Sequence, residues 1–179
     1  MMIAMILHFS QVSLQARPNS SQAAKSAPTA ASTNPTFTKM RIVFHTTDED
    51  KARDTRLEIA IIPVFAQRKS AVAYLDIGGT NLPNVPNKGF PADSTSDTYV
   101  VPASEPIALK DLLANYEIFL KITPNGHEMW SFGYDAVLRF RDGTTAKISM
   151  APGSIMLSNI QENFRYSVTK LSEAHVTRP

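Results

Sequence analysis

Cysteine is absent from the 179 residues, which removes disulfides, thiolate metal sites and cysteine nucleophiles from consideration. An excess of one charge is absent as well. Eighteen Lys and Arg stand against sixteen Asp and Glu, and the basic residues are scattered along the chain. A nucleic-acid binder needs a clustered basic face, so the linear sequence makes no electrostatic case for nucleic acid. No apolar run is long enough to span a bilayer as a helix. The four histidines, His8, His45, His127 and His175, show no metal-ligand spacing. A nucleophile elbow, a phosphate loop and a dinucleotide fingerprint are also missing. Catalysis of a familiar kind therefore has little support, and a pairing of His127 and Glu128 with Asp135 as acid and base is the only assembly the sequence offers.

What is present is a globular composition, 43% hydrophobic and 19% charged. The chain opens on "MMIAMILHF", a short apolar run that reads as a signal peptide over residues 1–16, although it has no basic start. Residues 17–38 are rich in Ser, Ala, Thr, Asn and Pro without an apolar period, and read as a flexible linker. A tether behind an export signal suits a secreted or periplasmic protein. A disordered leader on a cytoplasmic protein is the alternative.

From Met40 the punctuation is that of an antiparallel β protein. "MRIVFHTT" places Met40, Ile42 and Phe44 on one face and Arg41, Val43 and His45 on the other. "RLEIAIIPV" turns Leu57, Ile59 and Ile61 inward, with Glu58 marking the wet face and Pro63 either closing the strand or placing it at a sheet edge. "AVAYLDI" and "TYVVP" add two short strands, and Leu109–Tyr116 is the one helical segment. Asn125-Gly126 and Asp142-Gly143 supply type I′ turn chemistry between alternating runs, predicting a three-stranded meander from Tyr116 onward. Gly133 interrupts the middle run and predicts a bulge. "SIMLS" and "NFRYSVT" complete seven to nine strands with one short helix, the signature of a β-sandwich over residues 39–171, with a frayed tail at 172–179.

Three features carry candidate binding chemistry. "DEDKARDT" (Asp48–Thr55) follows the first strand. Its mixed charges read first as a solvated turn. The alternating carboxylates of Asp48, Asp50 and Asp54 are the ligands of a second reading, a calcium site, since calcium takes several hard oxygen ligands from a loop. Trp130, the sole tryptophan, shares a face with Phe132 and reads first as a core plug, second as a stacking platform for a ligand. The long excursion Gly78–Asp97 carries Leu82, Val85, Phe90 and Asp93. It is either a variable binding surface, with Phe90 and Asp93 at the ligand, or a loop held down by its apolar residues.

"FHTTDEDKARDTRLEIAI" followed by "HEMWSFGYDAVLRF" resembles the PLAT/LH2 family of small β-sandwich modules, in which an acidic loop leads into an alternating strand and a later Trp enters a core strand. Thr47 stands where that pattern has Gly, and Ala52 where it has Leu. The resemblance implies a non-enzymatic module that docks on lipid, carbohydrate or protein, in some members with calcium at the loops. The expectation is thus a binding module at an extracytoplasmic surface. A structural or accessory subunit of a surface assembly is the alternative, and a hydrolase with an unrecognised site the second alternative.

Overall fold

The computed structural model describes residues 34–47, 56–64, 70–78, 90–123, 129–158 and 165–179. They form nine strands and one helix in the order β1 (Phe37–Thr46), β2 (Arg56–Pro63), β3 (Ala73–Ile77), β4 (Tyr99–Pro102), α1 (Leu109–Asn115), β5 (Tyr116–Thr123), β6 (Met129–Phe140), β7 (Thr145–Ser158), β8 (Tyr166–Lys170) and β9 (His175–Thr177). Two antiparallel sheets result, β4-β1-β6-β7-β9 and β3-β2-β5-β8. The protein is an all-β sandwich.

Alternation decides which side chains enter the core. Met40, Ile42 and Phe44 of β1 and Trp130, Phe132, Tyr134, Ala136 and Leu138 of β6 are buried from one sheet. Leu57, Ile59, Ile61, Ile118, Leu120 and Ile122 are buried from the other. Leu109 and Leu112 of α1 join the same core, so the helix closes one end of the sandwich.

Several local expectations meet a different outcome. The meander is real only in its second half. β6 pairs with β7 around Asp142-Gly143, but β5 pairs with β2 and β8 in the opposite sheet. The chain therefore crosses between sheets after Thr123, and Asn125-Gly126 lies outside the described residues. At Asp142-Gly143 only Gly143 has a positive φ, at 91°. The Phe140 amide donates to Thr144 O at 3.0 Å and the Gly143 amide to Phe140 O at 3.1 Å. This is a three-residue loop with glycine at its left-handed position rather than a two-residue type I′ turn. The Asp142 carboxylate accepts from the Thr144 amide and hydroxyl, which fixes it.

Glu58 is buried rather than wet, at 3% exposure. The strand β2 is an inner strand, and Asp76 and Lys121 flank Glu58 in register on its two sides. The C-terminal tail is not frayed throughout, because His175–Thr177 pairs with Lys147–Thr145 as the last strand of its sheet. The ordered domain also begins earlier than residue 39. Phe37 is a core residue, and its amide donates to Ile107 O at 2.8 Å.

Candidate functional site

Trp130 is 1% exposed, its ring stacked on Phe132 at 3.8 Å between centroids and tilted against Phe90 at 4.6 Å. A ligand-stacking role for Trp130 is thereby corrected to core packing. The parity that points it inward with Phe132 also takes it away from any surface. Phe90 is corrected in the same way. It is 4% exposed and packs edge-on against Phe44 at 5.5 Å, so the end of the long excursion is pinned by its apolar residue. From there the chain runs beside the end of β1. Thr46 donates its amide to Ser94 O at 2.8 Å, and the Ser96 amide donates to Phe44 O at 2.9 Å. Asp93 sits exposed at the turn, with a left-handed φ of 50° that Asp tolerates, and its amide donates to Thr47 O. It converges with neither Trp130 nor Phe90 on a surface. Asp48, Asp50 and Asp54 lie outside the described residues, as do His127 and Glu128. Among the described residues, no group of three or more His, Asp or Glu is arranged to hold a metal ion.

The chemistry lies elsewhere, on the outer face of the five-stranded sheet. Asp135 of β6 is its centre. One carboxylate oxygen meets His45 Nε2 of β1 at 3.1 Å. The other accepts from the Ser149 hydroxyl of β7 at 2.5 Å and faces Lys147 Nζ at 3.3 Å. His45 Nδ1 meets the Thr95 hydroxyl at 3.2 Å, which ties the cluster to the 90–97 segment. Register explains the meeting: Asp135 is the Cα partner of Val43 on one side and of Ser149 on the other. The Ser149 hydroxyl holds the Asp135 carboxyl below the usual carboxylate range; His45 and Lys147 act in the same sense, and partial burial opposes them.

The order of groups settles what this cluster can do. A nucleophilic triad needs the imidazole between hydroxyl and carboxylate, so that the base can take the hydroxyl proton. Here the carboxylate stands between Ser149 and His45, and the hydroxyl donates to an acceptor that does not activate it as a nucleophile. The cluster is a fixed set of hydrogen-bonding groups on a half-exposed surface.

Around it the same face gathers cations from three strands. Lys39 and Arg41 leave β1, Arg139 leaves β6 and Lys147 leaves β7, all exposed and opposite in parity to the buried positions. Lys39 is the Cα partner of Arg139, while Arg41 and Lys147 flank Val137. Among the described residues, Lys39, Arg41 and Arg139 form no ion pair. Linear scanning missed this face because its members are a hundred residues apart. The available signal was parity: each cation alternates with core residues on a strand.

A second concavity, of about 650 Å³, lies between α1 and β9. Leu109, Leu113 and Val176 form an apolar wall, with Asn34, Lys110 and Arg178 around it. Among the described residues, no carboxylate lines it.

No helix among the described residues is long and apolar enough to cross a membrane. No family model, curated protein or solved structure matches the chain.

Proposed function

We propose that the protein is a non-enzymatic binding module that lays an acidic polysaccharide along the outer face of its five-stranded sheet. The observation behind this reading is the gathering of Lys39, Arg41, Arg139 and Lys147 on one exposed sheet face around the Asp135 cluster. The face presents more positive than negative groups, which attracts and orients a polyanion. His45, Thr95 and Ser149 add neutral donors and acceptors of the kind sugar hydroxyls bond. The cations stand on strand residues rather than loop tips, Arg41 in mid-strand and Lys39, Arg139 and Lys147 within three residues of a strand end. They spread across three adjacent strands, which favours an extended chain lying on the sheet over a wedge inserted in a lipid surface. The face offers no aromatic ring among the described residues for base stacking, which disfavours single-stranded nucleic acid.

An extracytoplasmic location, which the apolar leader and the polar stretch after it suggest, belongs to the same reading. Calcium remains an auxiliary proposal carried by the carboxylates of Asp48, Asp50 and Asp54 between β1 and β2. A calcium ion there raises the melting temperature as calcium is titrated against an EDTA control, by ordinary ligand linkage; a flat titration removes it.

The test is calorimetric titration with polygalacturonate and dextran sulfate, using neutral dextran as control. Binding is expected to the two acidic polymers, to weaken as salt rises, and to fall about tenfold or more in the double variant R41E/R139E, a loss of roughly 1.4 kcal/mol. Equal heats with neutral dextran, or an unaltered double variant, would overturn the proposal. Binding to anionic vesicles without binding to either polymer would assign the face to lipid.

A further inference from the structure

The four-stranded sheet ends on β8, and this edge differs from the other three. The edge at β3 is tied down at its start, where Ala73 bridges Ala103 and the Ser104 amide donates to Val72 O at 2.8 Å. The edge at β4 carries Pro102, and the edge at β9 is three residues long. Short strands and proline are ordinary guards against edge pairing. On β8 the large exposed side chains are Tyr166, at 54%, and Val168, at 48%.

The hydrogen-bond parity of β8 is fixed by its inner neighbour. Lys121 pairs with Tyr166, and the next amide along, Ile122 N, donates to Arg165 O at 3.0 Å. Bonded and non-bonded pairs alternate in an antiparallel ladder. Ser167 and Thr169 therefore exchange bonds with β5, and the N–H and C=O groups of Tyr166, Val168 and Lys170 point away from it. The Lys170 C=O also accepts from the short 3-10 turn Leu171–Glu173 that follows the strand, while the outward groups of Tyr166 and Val168 meet no described residue beyond the β5 ladder.

We infer that β8 pairs with β8 of a second copy of this chain, antiparallel, about a two-fold axis at Val168. In that register the three outward-bonding residues meet only one another: Val168 faces the partner copy's Val168, and Tyr166 faces the partner copy's Lys170. About four backbone hydrogen bonds, two between the Val168 residues and one from each Lys170 amide to the facing Tyr166 C=O, join the two four-stranded sheets into one continuous sheet. Charge and shape both select this register. Each Lys170 ammonium meets a Tyr166 ring rather than a second cation, a favourable cation–π pairing. Behind each Lys170 stands Glu117, its partner on β5. The apolar row Tyr74, Ala60, Phe119 and Val168 runs through each protomer in register, so the axis joins two such rows end to end. The stack of Phe119 on Tyr166, at 5.8 Å, sets Tyr166 beside that junction. An edge lysine usually guards against pairing; here Lys170 excludes the registers that bring it against itself and permits this one. The inference is independent of the cationic face, which belongs to the other sheet.

The absence of cysteine makes the test clean. The full-length Val168→Cys chain is expected to form a disulfide-linked dimer on mild oxidation, since directly paired residues stand about 5.5 Å apart at Cα. Val100→Cys, equally exposed on the β4 edge at 45%, should cross-link about tenfold more slowly or not at all. By sedimentation the unaltered chain should show concentration-dependent dimerisation. Val168→Lys, which sets two cations against each other, should weaken it at least tenfold while leaving the melting temperature unchanged at concentrations where the unaltered chain is monomeric. The inference fails if the unaltered chain sediments as a monomer at its highest soluble concentration. It fails equally if Val168→Lys leaves a dimer intact, or if the Val168→Cys chain cross-links no faster than the Val100→Cys chain.

Discussion

The indole Nε1 of Trp130 donates to the Thr46 hydroxyl at 3.1 Å. Both residues are shut away from water, at 1% and 5% exposure. One hydrogen bond thus satisfies the only polar atom of the largest core side chain, and it ties the end of β1 to the start of β6. Replacing Thr46 by Val keeps the shape, removes the acceptor and leaves a buried N–H unsatisfied. Chemical denaturation should show a loss of about 1–3 kcal/mol, with Thr46→Ser close to the unaltered protein. Acrylamide should barely quench the single tryptophan in the native state. Ready quenching would contradict the burial described above.

Gly133 faces a bulge in β7: between the pairs Phe132–Ile155 and Tyr134–Met150, β6 passes the single residue Gly133 while β7 passes four, 151–154, and β6 stays in register with β1 across this stretch. A Cβ placed at Gly133 would lie 2.3 Å from the carbonyl oxygens of both Met150 and Ala151. These are backbone atoms and cannot swing aside. Gly133→Ala should therefore cost about 3 kcal/mol or more, the upper range for overpacking a tight site. A melting temperature equal to that of the unaltered chain would show that β7 does not approach β6 so closely.

Tyr134 points into the core between the sheets, and burial pushes its phenol up to about 12, with the Thr169 hydroxyl offsetting part of the rise. The unfolded chain ionises near the ordinary tyrosine value of about 10. A folded pKa above the unfolded one gives stability that is fully present below about pH 10 and is lost as pH climbs toward 12. The unfolding free energy from denaturation should fall over that window, by on the order of 2–3 kcal/mol in total. Tyr134→Phe should flatten much of this alkaline limb. An unchanged limb would place the titration on another group.

Asp135 works in the opposite sense. The Ser149 hydroxyl, with His45 and Lys147, holds its carboxyl below the ordinary range, against the effect of partial burial. Its contribution is present above the unfolded carboxylate value of about 4 and is lost as pH falls through the lowered folded value. Asp135→Asn should flatten the acid limb of the stability profile. Ser149→Ala should flatten it partly, because the first of the three supports is gone. An acid limb unchanged in both variants would mean that the cluster carries no linkage.

Strand after strand was legible by alternation. Met40, Ile42 and Phe44 point inward on β1 as their period-two spacing requires, and Ala136, Leu138 and Phe140 do so on β6. The bulge expected at Gly133 lies instead on the facing strand, at residues 151–154 of β7, and the glycine in β6 admits the close approach of that backbone. Pro63 ends β2 because it cannot extend the ladder. These are local properties, fixed by covalent geometry and by the hydrophobicity of neighbouring residues. The partner of each strand is not local. The side chains of β5 alternate as well for the sheet of β2 and β8 as for a hairpin with β6, so nothing in Tyr116–Thr123 distinguishes the two. Glu58 looked wet because its own side chain is charged, and it became buried because β2 took an inner place between β3 and β5. Asp135, His45 and Ser149 met for the same reason. The sequence by itself determined most of the strands, β9 excepted, and which way their side chains point. Only the tertiary structure decided which strands are neighbours, because the packing of two apolar faces selects among pairings that local preference leaves equal.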